Sequence, residues 1–224
     1  EKMKEENTID DNKYHKNIIS IEGISKRNIY FNFDDYGRFH TNFTILKKDI
    51  RNEFITINNE MTSEVDIKNS QPLFFAVILK KQMSHINGDT KKYFDLVKSG
   101  LIYEDIIRHN PKLTRKQAKE IVYRVLFGNN KTIKANKIFR DLYPSVYEYI
   151  REFKEIKKNY KELAHELQKM ESDFLFNNII KEIYEKYPDI ILFTVHDSII
   201  FPKSYQNKVE KVFNKHYNNL ISKI

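Results

Sequence analysis

The chain contains no cysteine, and this absence excludes several kinds of chemistry. Disulfide bonds, thiolate nucleophiles and cysteine-ligated zinc sites all require cysteine side chains, so none of them can operate here. Long hydrophobic runs are also missing. No segment approaches the roughly 20 apolar residues that a transmembrane helix needs, and no signal peptide opens the sequence. We therefore expect a soluble intracellular protein that has no membrane partner.

The residues that are present make a basic chain with enough apolar content for a core. Its 224 residues suit one large domain or two small ones, and 40% of them are hydrophobic. The formal net charge of +8 favours a polyanionic partner such as nucleic acid. Abundant lysine, asparagine and isoleucine also result from an AT-rich coding sequence, so the charge alone leaves the partner open.

Strand-like segments lie towards both ends of the chain, with helical segments between them. Residues 1–16 are polar and charged, and we expect residues 1–36 to form an N-terminal arm or the remnant of an upstream region. Short β-rich runs occur between residues 17 and 33. Two further runs, 55–57 and 64–67, flank Asn58-Asn59 and predict a hairpin. This arrangement predicts an α+β fold.

One predicted helix has clear signals at both of its ends. Thr114 and Gln117 have the spacing of a capping box, and Gly128 stands where a helix should stop. Its apolar side chains recur at helical spacing and predict one buried face: Ala118, Ile121, Val122, Val125 and Leu126. Residues 145–187 are also helix-forming, but the run is too long for one compact helix, so we expect a break or a helical hairpin within it.

Two aspartates lie at the ends of apolar strand segments. Asp66 follows Glu64-Val65, and Asp197 stands with His196 in a tight turn between two apolar runs. Each aspartate could be structural, Asp66 as a helix cap and Asp197 as a turn residue that tolerates a left-handed backbone. On neighbouring strands, the two carboxylates could instead bind a pair of Mg²⁺ ions, with Mn²⁺ as a substitute. Carboxylates more than about 6 Å apart could not share two ions spaced about 3.5–4 Å.

A stripe of four residues follows one face of the capped helix. Arg115, Lys119, Tyr123 and Phe127 recur at intervals of four, on a face distinct from the apolar one. Two cations followed by two aromatic rings can hold a triphosphate at one end and a base and sugar at the other. The alternative is a solvated basic face that ends in two core aromatics.

These segments together resemble the motifs of family A DNA polymerases, the DNA polymerase I type, and of the related single-subunit phage RNA polymerases. Residues 66–71 resemble motif A, 115–128 resemble motif B, and 196–198 resemble motif C, in the order of the family. Residues 37–42 resemble the Gly-Arg segment that precedes motif A, and residues 171–187 resemble the palm helix before motif C. The A-to-B separation is similar to that in DNA polymerase I.

The resemblance implies specific roles in catalysis for four residues. Asp66 and Asp197 would hold the metal ions. Arg115 would bind the phosphates of the incoming nucleotide. Lys119 would bind them as well and would protonate the pyrophosphate leaving group.

Four other residues would border the nucleotide. Tyr123 would pack on it, while Phe127 and Gly128 would border the sugar and the template base. Gln71 stands at the position that gates the ribose 2′-OH, where the DNA polymerases usually have Glu. Phe127 replaces the usual Tyr, so a hydroxyl link to the gate is lost.

The primer and template would meet three further residues, Arg38, Asn42 and His196. The family's Arg at the position of Arg38 touches the primer terminus in the minor groove, and His196 would lie near the primer end. Ser198 departs from the Glu usual in the DNA polymerases and matches the phage RNA polymerases. The resemblance therefore implies the reaction more directly than it implies the choice of sugar or of template.

The resemblance implies a palm from residues 37–81 and 160–224, with a small helical fingers insertion from 82–149. No thumb is evident, so a missing domain or a partner would act as thumb or clamp. The expected protein is a minimal DNA polymerase of phage or plasmid type, in the cytoplasm of a bacterial or phage-infected cell. It would extend a primer 3′-OH on a DNA template, using nucleoside triphosphates and two Mg²⁺ ions.

Three other interpretations stay open at this point. The first is an RNA polymerase-like or primase-like enzyme, which the His-Asp-Ser form of motif C favours. The second is a non-catalytic basic DNA-binding replication protein in which both aspartates are structural. The third is a helical interaction module built on residues 145–187.

Overall fold

The structure is a computed structural model that describes residues 10–35, 37–83, 86–130 and 133–224, without the side chains of 133–136. Residues 1–9 and 36 of the predicted N-terminal arm lie outside these ranges. The strands are β1 (Phe31–Phe33), β2 (Phe39–Thr41), β3 (Thr56–Ile57), β4 (Glu60–Asp66), β5 (Phe193–Val195) and β6 (Ser198–Pro202).

Helices make up most of the rest of the described chain. They are α1 (Asp11–Ser25), α2 (Asn42–Ile45), α3 (Lys48–Phe54), α4 (Ser70–Gln82), α5 (Gly88–Ser99), α6 (Ile102–His109), α7 (Arg115–Phe127), α8 (Ile133–Leu142), α9 (Pro144–Lys157), α10 (Glu162–Phe174), α11 (Lys181–Lys186) and α12 (Gln206–Ile221). A π-helical segment, Leu175–Ile180, joins α10 to α11. Among the helices of the described ranges, none has the length and apolar character needed to cross a membrane.

Within the described ranges, all strand pairing is antiparallel, and it forms two sheets. β1 pairs with β2, and the second sheet has the order β3-β4-β6-β5. The mixture of helices with antiparallel sheets confirms the expected α+β class. The chain divides into two compact units: Glu1–Asp66 with Ser172–Asn214, and Ile67–Glu171 with Lys215–Ile224. The palm and fingers boundaries expected from the resemblance are different from these and stay a prediction.

The first unit contains both sheets and a small apolar core. Phe43, Leu46, Val195 and Ile200 form this core, and the Phe43 ring stacks on that of Phe193 at 4.3 Å. The predicted Asn58-Asn59 hairpin is confirmed, with both asparagines left-handed at φ 52° and 63°. That backbone matches the two-residue turns whose twist suits a hairpin.

The expectation for residues 11–25 was wrong. Instead of a mobile arm followed by β-rich runs, these residues form helix α1. Asp10 caps it by accepting a hydrogen bond from the Lys13 amide, and the buried Asn17 accepts one from the Lys47 amide at 2.8 Å. The runs containing Ile18, Ile19 and Ile21 had the composition of strands, but strand propensity depends strongly on context and here tertiary contacts override it.

The second unit is helical, and the predicted capping box and buried face of α7 are confirmed. Gly100 ends α5 in the left-handed conformation at φ 79°, where glycine has no steric cost. Thr114 and Gln117 form the capping box of α7, and the five predicted apolar residues of that helix are all buried. The break expected in 145–187 occurs after α9, at Lys158, which is left-handed.

Two residues of this long helical segment have unusual exposure for their type. The apolar Ile156 is 78% exposed, whereas the cationic Lys154 is 4% exposed. The Lys154 ammonium donates to two backbone carbonyls, those of Val125 at 2.5 Å and Gly128 at 2.6 Å. These hydrogen bonds compensate the cation for its burial.

Candidate functional site

Asp66 and Asp197 lie at the same end of the β4-β6 strand pair, within the first unit. Asp66 is the last residue of β4 and stands opposite Ser198, the first residue of β6, and Asp197 precedes Ser198 directly. Opposed Cα atoms are roughly 4.5–5.5 Å apart and consecutive ones about 3.8 Å, so the two aspartate Cα atoms lie within about 9 Å of each other. This register is compatible with carboxylates that share a metal site.

The two carboxylates differ from an ordinary buried pair in their exposure. Asp66 is exposed and Asp197 is partly exposed, whereas every residue of β6 is buried. The strand pair therefore presents two acidic groups to solvent at its end. Carboxylates that reach solvent are accessible to a hydrated cation.

The backbone conformation of the β5-β6 turn, which places Asp197, differs from the one expected from the sequence. His196, and not Asp197 as expected, has the left-handed backbone, with φ 56°. Histidine is among the non-glycine residues that adopt this region more readily. The Ser198 hydroxyl is buried and donates to the Val195 carbonyl at 3.1 Å, so this side chain braces the turn.

The donor set fits Mg²⁺ or Mn²⁺ better than a metal that needs a complete protein cage. Within the described residues, no group of three or more histidine, aspartate or glutamate side chains is arranged to hold a metal ion. Mg²⁺ commonly takes one or two carboxylates and completes its octahedron with water and substrate phosphates. Asp66 and Asp197 supply such a partial set, whereas a structural zinc site requires four protein ligands.

Two of the three residues expected near the primer, Arg38 and Asn42, lie in the β1-β2 region of the same unit. Asn42 accepts a hydrogen bond from the Tyr30 amide at 2.5 Å. Arg38 follows Gly37, whose left-handed φ of 77° favours glycine, and the Gly37 carbonyl accepts a hydrogen bond from Ser172. These contacts fix the backbone of the Gly-Arg segment, and the contacts of Arg38 and Asn42 with nucleic acid stay a prediction.

Sequence reasoning missed a pair of residues beside the β5-β6 turn. His40 Nε2 lies 3.0 Å from Asp34 Oδ2, and the His40 ring meets the His196 ring edge-on, with centroids 6.3 Å apart. The available signal was an Asp and a His six positions apart on either side of Gly37, in the segment that the structure folds into the β1-β2 hairpin. Such a pair becomes recognisable only when the register of that hairpin is known.

Helix α7 of the second unit presents the predicted stripe. Arg115 and Lys119 are exposed, while Tyr123 and Phe127 are partly exposed. The Lys119 ammonium lies 5.3 Å from the centre of the Tyr123 ring, and the Tyr123 and Phe127 rings meet edge to face at 5.1 Å. The stripe is therefore continuous from the cations to the aromatic rings.

Arg115 already has an anionic partner within its own unit. Its Nε donates to Glu104 Oε1 at 2.8 Å, and the guanidinium lies 5.2 Å from the centre of the Tyr103 ring. Because this pair is solvent-exposed, its net strength is small, typically under about 1 kcal/mol. A triphosphate, with its larger charge, can compete with Glu104 for the guanidinium.

Gln71 is buried, with 1% of its surface exposed. Its Nε2 donates to Glu171 Oε2 at 2.6 Å, and Ser70 donates to the same oxygen. Gln71, the residue expected to gate the 2′-OH, is therefore bonded to a carboxylate of α10. The role of Gln71 in sugar choice stays a prediction, and the structure gives the side chain a structural role as well.

Gly128 ends α7 in an extended conformation, with φ −79° and ψ 168°. Any residue can adopt this backbone, so no conformational strain requires glycine here. Its carbonyl is one of the two that accept from Lys154. Burial lowers the pKa of Lys154 to about 8, and its ammonium lies at the helix terminus where a cation is electrostatically favoured.

No family model and no curated protein sequence matches the chain. A solved structure does resemble it: the POL domain of Pol1 from M. smegmatis, in a complex with DNA primer-template and dNTP. The superposition has a TM-score of 0.60, with 14% sequence identity over 86% of this chain. The chain spans 44% of the length of that polymerase chain. The protein therefore has a DNA polymerase-like α+β fold.

Proposed function

We propose that the protein is a template-directed nucleotidyltransferase that extends a primer 3′-OH and releases pyrophosphate. The observation that carries the proposal is the pairing of β4 with β6, which brings Asp66 and Asp197 to one end of the sheet. The likeness of the fold to a DNA polymerase domain supports it. The order of the three sequence motifs, read independently of the fold, supports the same reaction.

In this proposal the first unit supplies the metal-binding residues. Asp66 and Asp197 would hold two Mg²⁺ ions, which when bound neutralise phosphate charge and favour ionisation of the primer 3′-OH. The carboxylates themselves fix where cations can bind, because Asp66 ends the paired strand β4 and Asp197 directly precedes its partner β6. His196 and Ser198 hold the turn that orients Asp197.

The groups that would bind the triphosphate lie on helix α7. Arg115 and Lys119 would bind its oxygens, Arg115 exchanging Glu104 for phosphate. The 3′-oxygen forms a bond to the α-phosphorus while the bond between that phosphorus and the bridging oxygen breaks. Lys119 would donate the proton that the leaving pyrophosphate accepts. Tyr123 would pack against the base and sugar, next to Phe127 and Gly128.

A ribonucleotide-using enzyme is the second candidate, and the burial of Gln71 favours it. A side chain held inside the fold by Glu171 does not project against a ribose 2′-OH. The expectation that the enzyme uses deoxynucleotides rests instead on the bulk of Gln71 at the gating position. The two candidates share the metal ligands and the phosphate-binding residues, and they differ only in sugar choice.

A primer-extension assay tests the proposal. Purified protein is incubated with a labelled primer-template, Mg²⁺ and either deoxy- or ribonucleoside triphosphates. Extension by either set supports nucleotidyl transfer, and the preferred set decides between the two candidates. If the protein binds the primer-template but adds no nucleotide with Mg²⁺ or Mn²⁺, the non-catalytic DNA-binding interpretation replaces the proposal.

A further inference from the structure

The Asp34 and His40 side chains form a pair that none of the polymerase motifs includes. One carboxylate oxygen of Asp34 accepts from the Arg38 amide at 2.9 Å, and the other lies 3.0 Å from His40 Nε2. The Asp34 amide also donates to the Arg38 carbonyl at 3.0 Å. Asp34 is thus fixed within the β1-β2 turn, and it in turn sets the orientation of the His40 ring.

The oriented His40 ring contacts the residue that precedes Asp197. His40 and His196 meet edge-on with centroids 6.3 Å apart. His196 is also a non-glycine residue in a left-handed conformation, at φ 56°. Such a conformation persists where the surrounding structure holds it, and it often marks a functional site. His40 is a neighbour placed to hold it.

A second contact holds the other end of β5 to the same segment of chain. The Phe43 ring stacks on Phe193, the first residue of β5, with an interplanar angle of 13°. β5 and its turn are therefore held near both ends by residues that lie three positions apart, His40 and Phe43. A hairpin held in this way has little freedom to redirect Asp197.

We propose that the Asp34–His40 pair is a positioning element that fixes His196 and thereby the direction of the Asp197 carboxylate for metal binding. The inference rests on the proposed function, since metal ligation by Asp197 belongs to it. His40 acts through His196 and need not contact the substrate. A purely structural role would confine the pair to the β1-β2 turn and would leave the metal affinity unchanged.

The test measures Mn²⁺ binding to the full chain directly, from the electron paramagnetic resonance signal of the free ion. His40→Ala is expected to raise the dissociation constant for Mn²⁺ roughly tenfold, the lower end of the cost of losing a group that orients a metal ligand. The Mg²⁺ concentration that half-saturates primer extension should rise by a similar factor, while the rate at saturating Mg²⁺ recovers. A variant that is merely less stable would lose active protein without shifting either quantity.

Two further variants keep the test decisive if His40→Ala folds poorly. His40→Phe keeps a ring against His196 and should bind Mn²⁺ more tightly than His40→Ala. Asp34→Asn keeps an acceptor for the Arg38 amide but removes the charge beside His40, and it should weaken Mn²⁺ binding. His15→Ala is the matched control, because His15 is an exposed histidine of the same unit whose Nδ1 lies 2.7 Å from the Asp11 carbonyl of its own helix.

The outcomes distinguish the positioning role of the Asp34–His40 pair from the proposed function of the protein. If wild-type protein binds Mn²⁺ and extends primers, and the His40 and Asp34 variants match His15→Ala in Mn²⁺ affinity, the positioning role is refuted while the proposed function stands. If wild-type protein neither binds Mn²⁺ nor extends a primer, the proposed function fails and this inference fails with it. Weakened Mn²⁺ binding in His40→Ala with partial recovery in His40→Phe supports the inference.

Discussion

Replacing Lys154 by methionine tests how the end of helix α7 is held. The wild-type ammonium is buried and donates to the Val125 and Gly128 carbonyls at 2.5 and 2.6 Å. Methionine fills a similar volume but donates no hydrogen bond, so both carbonyls lose their donor. It also removes a cation whose burial is costly, and the two effects oppose each other at neutral pH.

The two effects separate when the pH is varied. Burial lowers the pKa of Lys154 from 10.5 to about 8, so the folded chain binds this proton more weakly than the unfolded chain does. The contribution of Lys154 to the free energy of unfolding therefore rises with pH between these two pKa values. A shift of this size gives an increase of roughly 1.4 kcal/mol between pH 7 and pH 9. Lys154→Met lacks this contribution.

The assay is chemical denaturation of wild type and Lys154→Met at pH 7, 8 and 9. The difference in unfolding free energy between the two proteins should grow by roughly 1.4 kcal/mol across this range. Burial raises the pKa of Tyr93 and of Tyr143, so their ionisation lies above the window and cancels in the comparison. A difference that stays constant from pH 7 to pH 9 would refute the assignment of Lys154 as a buried cation.

Three other predictions concern binding and catalysis. Affinity for duplex DNA should fall with salt at a logarithmic slope of about −0.9 per phosphate neutralised, and a flat response between about 50 and 200 mM salt in a filter-binding assay would argue against a nucleic-acid partner. Lys119→Gln should lower the rate constant of single-turnover extension by about 100-fold or more, because a general acid is lost. The same change at its exposed helix neighbour, Lys116→Gln, should leave this rate constant unchanged. Equal rate constants in the two variants would exclude Lys119 as the general acid. Gln71→Gly should reduce stability by about 1–3 kcal/mol through loss of the hydrogen bond to Glu171, and it should raise ribonucleotide use by roughly 10- to 200-fold if Gln71 is also the sugar gate. An unchanged sugar preference would leave the buried network as its only role.

Local signals explain the parts of the fold that the sequence predicted. The capping box of Thr114 and Gln117, the stop at Gly128 and the Asn58-Asn59 turn each depend on residues close together in the chain. In these cases a short-range hydrogen bond or a backbone conformation decides the structure. Helix α1 was missed because its isoleucine-rich composition is also typical of strands, and the choice between them depended on distant contacts.

The candidate site shows the same division. Asp66 and Asp197 could be placed at strand ends from their apolar flanks, and their proximity follows once β4 pairs with β6. The partners that hold the site are far apart in sequence. Glu171 bonds Gln71 across 100 positions, and no local pattern indicates which carboxylate a buried glutamine will contact. The contact between His40 and His196 was hidden for the same reason.

The most direct test of the central claim is primer extension by Asp66→Asn and Asp197→Asn, each compared with wild type and with Asp49→Asn. Asparagine preserves the size of each side chain but removes the charge that a divalent cation requires. Asp49 is an exposed carboxylate of the same unit, paired with Lys47 at 3.6 Å, so its replacement is the matched control. We expect Asp66→Asn and Asp197→Asn to fold and to bind primer-template but to add no nucleotide. Wild type and Asp49→Asn should both extend the primer. Extension by either of the first two variants at the wild-type rate would contradict the assignment of these aspartates as metal ligands.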